Sequence, residues 1–324
     1  VNAVATAVSG SGALSVSINV ANSAPAKSQA TSSAVGIDAG GGNDTVANTG
    51  AVTAVSTATA NAVEIAFSKE NKASTYKNPL EQAIFGNGVL AEAEAIGIRG
   101  DGTEASQAIE ATLHIDWREI DQTFHFETTG STGIDTITNS DAVTAVATAV
   151  AGEASVAVSV DGATRADGTS KAIAKSTAIE AGAGNDEVDN TGSVTAVSTA
   201  TSGVIEATFS KAKSADASTS WFDKLVVDQG PISEAEAIGI KGDGDAASHF
   251  IDEAISISQD GVHVSLSYEK AASSGNDTIN NDGEVTAVAT AVSGAGTAAI
   301  SIEGDAKADA LSKATSSATA VDAG

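Results

Sequence analysis

The sequence predicts an all-β chain wound as a β-solenoid, parallel β-helix-like, and three observations lead there. Val1, Val143 and Val285 open near-copies of one phrase, VNAVATAVSG, VTAVATAVAG and VTAVATAVSG, each 142 residues after the last. Between the copies, period-2 alternation such as Leu14, Val16, Ile18 and Val20 against Ser15, Ser17 and Asn19 marks strands with one buried face. Gly-Asp turns interrupt these runs at recurring positions. Register of this kind over 324 residues implies stacked modules, which escape the size at which a single core stops growing.

The period divides the chain into a first unit at 1–142, a second at 143–284 and the start of a third at 285–324. The first unit holds turns at Gly42-Asn43-Asp44, Gly100-Asp101-Gly102 and Gly133-Ile134-Asp135. The second holds Gly184-Asn185-Asp186, Gly242-Asp243-Gly244 and Gly275-Asn276-Asp277. Three turns per unit predict three coils of about 47 residues each. About seven such coils would span about 33 Å. Each Asp of the second set follows its partner by 142 residues, so the turns are expected to stack into a ladder along one edge.

The strands follow in order. Besides the run at Leu14, Val156, Val158 and Val160 alternate with Ser155, Ala157 and Ser159; Val63, Ile65 and Phe67 alternate with Glu64, Ala66 and Ser68. Ile205, Ala207 and Phe209 alternate with Glu206, Thr208 and Ser210. In each run the apolar set is expected to point inward. In AEAEAIGI (91–98) and SEAEAIGI (233–240) the apolar parity shifts at Ile96 and Ile238, which predicts a corner or bulge. The spans 69–90 and 211–232 match in length but not in residues, and are expected to be irregular excursions outside the coil stack. In the first, Asn78-Pro79, then LEQAIF and Gly86, read as a short capped helix. Phe85, Trp221 and Phe222 would serve there either as a cover over one flank or as a lateral contact with a partner.

Composition narrows the function. Aromatics are 3%, and Ala, Val, Gly, Ser and Thr dominate, so the interior must be narrow and filled by small side chains. A net charge of −26 repels phosphate backbones and anionic lipid, which argues against nucleic-acid and membrane-surface partners. No apolar run reaches the roughly 18 residues of a membrane span, so no membrane insertion by this segment is expected. There is no Cys, hence no disulfide framework and no thiolate metal site. The period runs past both ends and no Met initiates the chain, which predicts a piece of a longer polypeptide. An enzyme is not expected. His114, His125, His249 and His263 fall, one period away, on Ser256, Ser267, Gln107 and Asp121, so no histidine recurs. Glu92 with Glu94, and Glu234 with Glu236, do recur, but adjacent same-face carboxylates separated by Ala fit a solvated edge better than a glycosidase dyad.

Two motifs carry candidate chemistry. Ala39 to Val46 (AGGGNDTV) and Ala181 to Val188 (AGAGNDEV) resemble the calcium-binding nonapeptide of RTX proteins, GGxGxDxUx, with Ala in place of its first Gly. The resemblance implies calcium as a possible cofactor, with Asp44, Asp101, Asp135, Asp186, Asp243 and Asp277 as candidate ligands at the turns. RTX sites form between tandem nonapeptides, whereas each motif here stands alone, so stacked coils would have to bring successive turns together. The competing reading is that Asp and Asn satisfy backbone donors at turns that need Gly. The second motif is a Thr-bearing strand face: Thr144 and Thr148 flank Val146, as Thr53 and Thr57 flank Val55. If that face looks outward, stacked coils display a grid of hydroxyl and methyl groups. Such a grid would pack against a sister filament, or bind ice as Thr arrays do in the ice-binding solenoids it resembles. Thr and Val are also simply good strand formers.

Phrases such as GNDTVANTGAVTAVSTA and GNDTINNDGEVTAVATA resemble the β-solenoid repeat regions of bacterial giant surface proteins and adhesins. That resemblance implies export, calcium-rich surroundings and a mechanical or adhesive task. The expectation is a structural repeat segment of an extracellular filament, stalk, matrix fibre or giant adhesin at the bacterial cell surface, whose partner is itself through end-to-end or lateral assembly. The alternatives are a calcium-binding RTX-like adhesin module and an ice-binding solenoid.

Overall fold

Long alternating runs of Val, Thr, Ala and Ser become long strands, and the Gly-Asp phrases become corners between them. The computed structural model describes residues 1–18, 22–23, 26–69, 73–74, 88–100, 106–115, 120–129, 132–166, 168–211, 215–218, 230–243, 248–257, 262–271 and 277–323. Among these, every regular element is a strand.

The first coil runs through β1 (Asn2–Ser17), β2 (Asn22–Ser23), β3 (Ser28–Asp38) and β4 (Thr45–Asn48). The second has β5 (Val52–Ser68), β6 (Ala73–Ser74) and β7 (Val89–Arg99). It then inserts a hairpin of β8 (Ser106–Ile115) and β9 (Ile120–Thr129), and closes with β10 (Thr132–Gly133) and β11 (Thr136–Asn139). The third coil contains β12 (Val143–Ser159), β13 (Thr164–Ala166), β14 (Ser170–Gly184) and β15 (Glu187–Asn190). The fourth has β16 (Val194–Ser210), β17 (Ala215–Ser218) and β18 (Ile232–Asp243), a second hairpin of β19 (Ser248–Ile257) and β20 (Val262–Ala271), and β21 (Thr278–Asn281). The fifth contributes β22 (Val285–Ser301), β23 (Ala306–Asp309) and β24 (Lys313–Asp322).

Equivalent strands stack in parallel. One broad sheet is β1-β5-β12-β16-β22, and the other is β3-β7-β14-β18-β24. The sheets β4-β11-β15-β21 and β2-β6-β13-β17-β23 close the narrow edges. The β-solenoid expected from the sequence is therefore the fold, but its coil count needs correction. Asn2 pairs with Thr53, Val52 with Val143, Val143 with Val194 and Val194 with Val285, so coils of 51 and 91 residues alternate. A 142-residue unit is two coils, not three, and the chain makes five coils, not seven. The miscount has a physical origin. Gly100 stays in the stack, its N–H donating to the Glu180 carbonyl at 2.9 Å, but the next described strands are those of the hairpin rather than of a coil of its own, and Asp101 and Gly102 lie outside the described residues. The chain takes 36 residues from Arg99 to Asp135, where the third coil takes 6 from Glu180 to Asp186.

The two hairpins join into one antiparallel sheet, β8-β9-β19-β20, in which β9 of one unit pairs with β19 of the next. A hairpin widens that sheet by two strands, about 9.6 Å, and two coils rise by the same amount. The two structures advance in step only because the insertion sits in every second coil.

The interior reverses the expected parity. On β12, Val143, Ala145, Ala147, Ala149, Ala151, Glu153, Ser155, Ala157 and Ser159 are buried, while Val156 and Val158 face outward. Leu14, Val16 and Ile18 are 72%, 65% and 63% exposed; Val63, Ile65, Phe67, Ile205 and Phe209 also face outward, and Val20 lies outside the described residues. Thus Ser and Ala, not the larger apolar set, line the core. The reason is thickness. The broad sheets lie close enough for their inner side chains to bond directly: Ser56 Oγ reaches Ser32 Oγ at 2.9 Å, Ser198 Oγ reaches Ser176 Oγ at 2.9 Å, and Ser202 Oγ meets Ser233 Oγ at 2.8 Å. Leucine or phenylalanine in that gap would overpack it. Larger side chains gather at one end of the cross-section, where Ile98, Ile179 and Ile240 stack beside Val52, Val143 and Val194 and the edge column Val46-Ile137-Val188-Ile279.

The corner expected at Ile96 and Ile238 is present. Ile96 and Ile98 are both buried, with Gly97 between them, and a Cβ at Gly97 would meet the Ala178 carbonyl oxygen and Val143 Cγ1 at 2.4 Å. The excursions are shorter than expected. Ala73–Ser74 and Ala215–Ser218 belong to the coil edge, and Val89 and Ile232 already begin broad-sheet strands. What remains, 70–72, 75–87, 212–214 and 219–229, lies outside the described residues, as do the helix expected at 78–86 and Phe85, Trp221 and Phe222.

Candidate functional site

The turns stack as a column. Gly40, Gly42, Gly182 and Gly184 adopt φ of 99°, 115°, 117° and 147°, a region that favours glycine. The Asp that follows each turn points along the solenoid axis. The Asp44 N–H donates to Asp135 Oδ1 at 2.8 Å, the Asp135 N–H to Asp186 Oδ1 at 2.8 Å, and the Asp186 N–H to Asp277 Oδ1 at 3.0 Å. Four of the six candidate ligands therefore share one ladder. Asp243 falls in another column, opposite Gly182, and Asp101 lies outside the described residues. The second carboxylate oxygens of the ladder are buried. A Cβ at Gly100 would lie 2.6 Å from Asp135 Oδ2, and one at Gly242 would lie 2.5 Å from Asp277 Oδ2, so those glycines make room for the ladder.

A calcium ion needs six to eight oxygens converging on one point. Here the Oδ1 atoms of Asp135, Asp186 and Asp277 are engaged by backbone N–H groups one coil away. Among the described residues, no three Asp, Glu, His or Cys side chains gather closely enough to hold a metal. The column's geometry fits acceptors that satisfy turn donors.

A second ladder was missed in the sequence. Asn48 Nδ2 donates to Asn139 Oδ1 at 2.7 Å, Asn139 Nδ2 to Asn190 Oδ1 at 2.6 Å, and Asn190 Nδ2 to Asn281 Oδ1 at 2.6 Å. Asn139, Asn190 and Asn281 also donate to the carbonyls of Asp141, Gly192 and Gly283, which closes the following corner. The signal was present: an Asn follows each turn Asp by four residues at all four corners. At the opposite end of the cross-section, Glu64, Glu153 and Glu206 are buried. Glu64 Oε1 accepts the Ala26 N–H at 2.5 Å, Glu206 Oε1 the Gly168 N–H at 2.6 Å, and Glu153 Oε2 the Thr169 N–H at 2.8 Å. These carboxylates anchor the chain where it turns into the second broad sheet.

The Thr-bearing face does look outward. Thr53, Thr144, Thr195 and Thr286 form one column, and Thr6, Thr57, Thr148, Thr199 and Thr290 another. Between them runs Val4-Val55-Val146-Val197-Val288. Every outward position on β1, β5, β12, β16 and β22 is Thr, Val, Ile, Leu, Phe, Ala, Gly or Asn, and none is charged. On the other broad face, Glu92, Glu94, Glu234 and Glu236 point outward beside Lys171 and Lys175, and Lys171 Nζ lies 3.2 Å from Glu234. The four histidines all lie on hairpin strands: His114 on β8, His125 on β9, His249 on β19 and His263 on β20. The site with the clearest geometry is thus a surface rather than a pocket. Compared with known proteins, the chain matches no family model, no curated protein and no solved structure.

Proposed function

We propose that this chain is a structural repeat segment of an extracellular bacterial filament, matrix fibre or giant adhesin, and that it works by extending a solenoid. The supporting observation is that coils and hairpin strands advance in step, each 142-residue unit adding two of both. Further units therefore join without disturbing either sheet. An acidic, Cys-free composition fits an exported protein, and no described helix is long and apolar enough to cross a membrane.

Growth is slow along the axis, about 10 Å per unit. The segment therefore suits a broad-faced fibre better than a long-reaching stalk. Tandem arrays of eight, twelve and sixteen units, longer along the axis than the broad face is wide, test this reading by small-angle scattering. The maximum dimension should rise by about 10 Å for each unit added. Arrays that scatter as separate globules on flexible linkers would refute it.

A further inference from the structure

We propose that the uncharged broad face is where two copies of this chain pack, face to face, so that the fibre thickens laterally. The inference rests on the structural reading above and adds the surface and the partner. Three observations carry it.

The first is charge. The chain has a net charge of −26, yet the outward side of β1-β5-β12-β16-β22 carries none of it. Two copies meeting there keep their acidic surfaces apart and bury no charge, whereas pairing through the other broad face would have to desolvate Glu92, Glu94, Glu234 and Glu236 together with Lys171 and Lys175. A second copy is therefore the occupant that this distribution admits.

The second is area. Strands of 16 and 17 residues in a five-stranded sheet give a footprint of about 53 Å by 24 Å, or about 1,250 Å² on each copy. Stable protein pairs bury about 1,200–2,000 Å² in total, so even partial overlap of two such faces is enough.

The third is relief. Val63 on β5 and Ile205 on β16 stand out, 47% and 66% exposed. Their in-register neighbours are small: Ala154 beside both, and Gly296 beside Ile205. Gly152 and Gly294 sit two residues earlier on the same strands. A Cβ added at Gly294 or Gly296, on the end strand, would meet nothing within 4 Å, and one at Gly152, between the ridges, would meet only the Asn61 side chain, whose Oδ1 would lie 2.8 Å away. Ridges thus recur every second coil, about 9.6 Å apart, with troughs between them. A two-fold-related copy, offset by one coil, seats the ridges of each sheet in the troughs of the other. Sheets packed in this way lie about 10 Å apart, with side chains interdigitated.

Sedimentation across protein concentration, at low and high salt, tests the pairing. The wild-type chain is expected to reach twice its 31.7 kDa mass, and salt should favour this by screening repulsion. Thr57→Glu with Thr199→Glu places like charges on the face and should weaken dimerisation at least 100-fold. The neutral, bulkier Thr148→Tyr should weaken it as well, and unfolding curves for both variants report whether the fold survives. Glu236→Gln, on the opposite face, should leave the mass unchanged. A wild-type chain that stays monomeric at high concentration and high salt overturns the proposal, as does a face variant that dimerises as tightly as wild type. A monomer that slows ice recrystallisation, and loses this with Thr148→Tyr, assigns the face to ice and also overturns the pairing. Monomeric tandem arrays that still lengthen by a constant step per unit would sink the pairing while leaving the structural reading intact.

Discussion

Thr144, Val146, Thr148 and Val150 on β12, and Lys171, Ile173 and Lys175 on β14, point away from the same interior of Ala and Ser, yet the two faces they belong to are built by different rules. On the first, a column can repeat one residue type from coil to coil, as Val4, Val55, Val146, Val197 and Val288 do. Identical neutral side chains stack every 4.8 Å or so without penalty. On the second, one column reads Asp38, Arg99, Glu180, Lys241 and Asp322. Like charges at that spacing would repel, so the sign alternates. Arg99 lies 4.0 Å from Asp38 and 3.5 Å from Glu180, and Lys241 lies 3.6 Å from Glu180. A column of charges thus needs a two-coil repeat, while a neutral column is free to repeat with every coil, as the Val4 column does, or with every second one, as the Val63 and Ile205 ridges do.

The largest expected effect tests what the two faces share. Ala147→Leu in one sheet and Ala174→Leu in the other, both fully buried, should each cost about 3 kcal/mol by overpacking the same thin gap. Val146→Leu, one residue from the first site but facing outward, should stay within about 0.5 kcal/mol. Urea midpoints decide it; equal losses at positions 146 and 147 would mean that the parity is misassigned.

Next comes the edge that ties the sheets together. Asn139→Ala removes the middle rung of the amide ladder and strands its neighbours, at a cost of about 2 kcal/mol. Hydrogen exchange should then accelerate at the corner after Asn139 and leave β7 protected; uniform acceleration would contradict a local role.

Glu180→Ala should cost about 1.5 kcal/mol, between the values for exposed and buried ion pairs, because it takes an anion from between Arg99 and Lys241. Thr199→Ala, on the uncharged face, should be nearly silent. Smallest of all, Lys171→Ala breaks a half-exposed pair with Glu234 and should cost no more than about 0.5 kcal/mol. That difference should vanish in high salt; a persistent one would show that the Lys171 stem contributes by packing.

These contrasts explain what could be read from the chain alone. Period-2 alternation located the long strands, because strand geometry fixes the period. It left open which parity is buried, since Leu14, Val16 and Ile18 obey the rule as well as Ser15 and Ser17 do. Choosing the larger residues for the inside assumes a core of ordinary thickness, and a composition dominated by Ala and Ser had already argued for a narrow one. The turn ladder was legible because Asp44 and Asp186 repeat in sequence. The Asn ladder was equally periodic but went unread, because a single Asn per corner looks like ordinary turn chemistry. The hairpins were hidden because Gly100-Asp101-Gly102, which precedes the first of them in the chain, reads in sequence like the Gly-Asp phrases at the coil corners. Pairing of β9 with β19 depends on two segments more than a hundred residues apart, which no local pattern announces.

The shared advance of coils and hairpins also bears on how such a gene can grow. Duplicating one coil would give the solenoid one more layer but shift the side ribbon by half a hairpin and set two like charges together at the junction. Duplicating two coils keeps both in phase. Recombination in this lineage is therefore expected to leave copies in steps of 142 residues, because every smaller increment is selected against by the protein's own lattice.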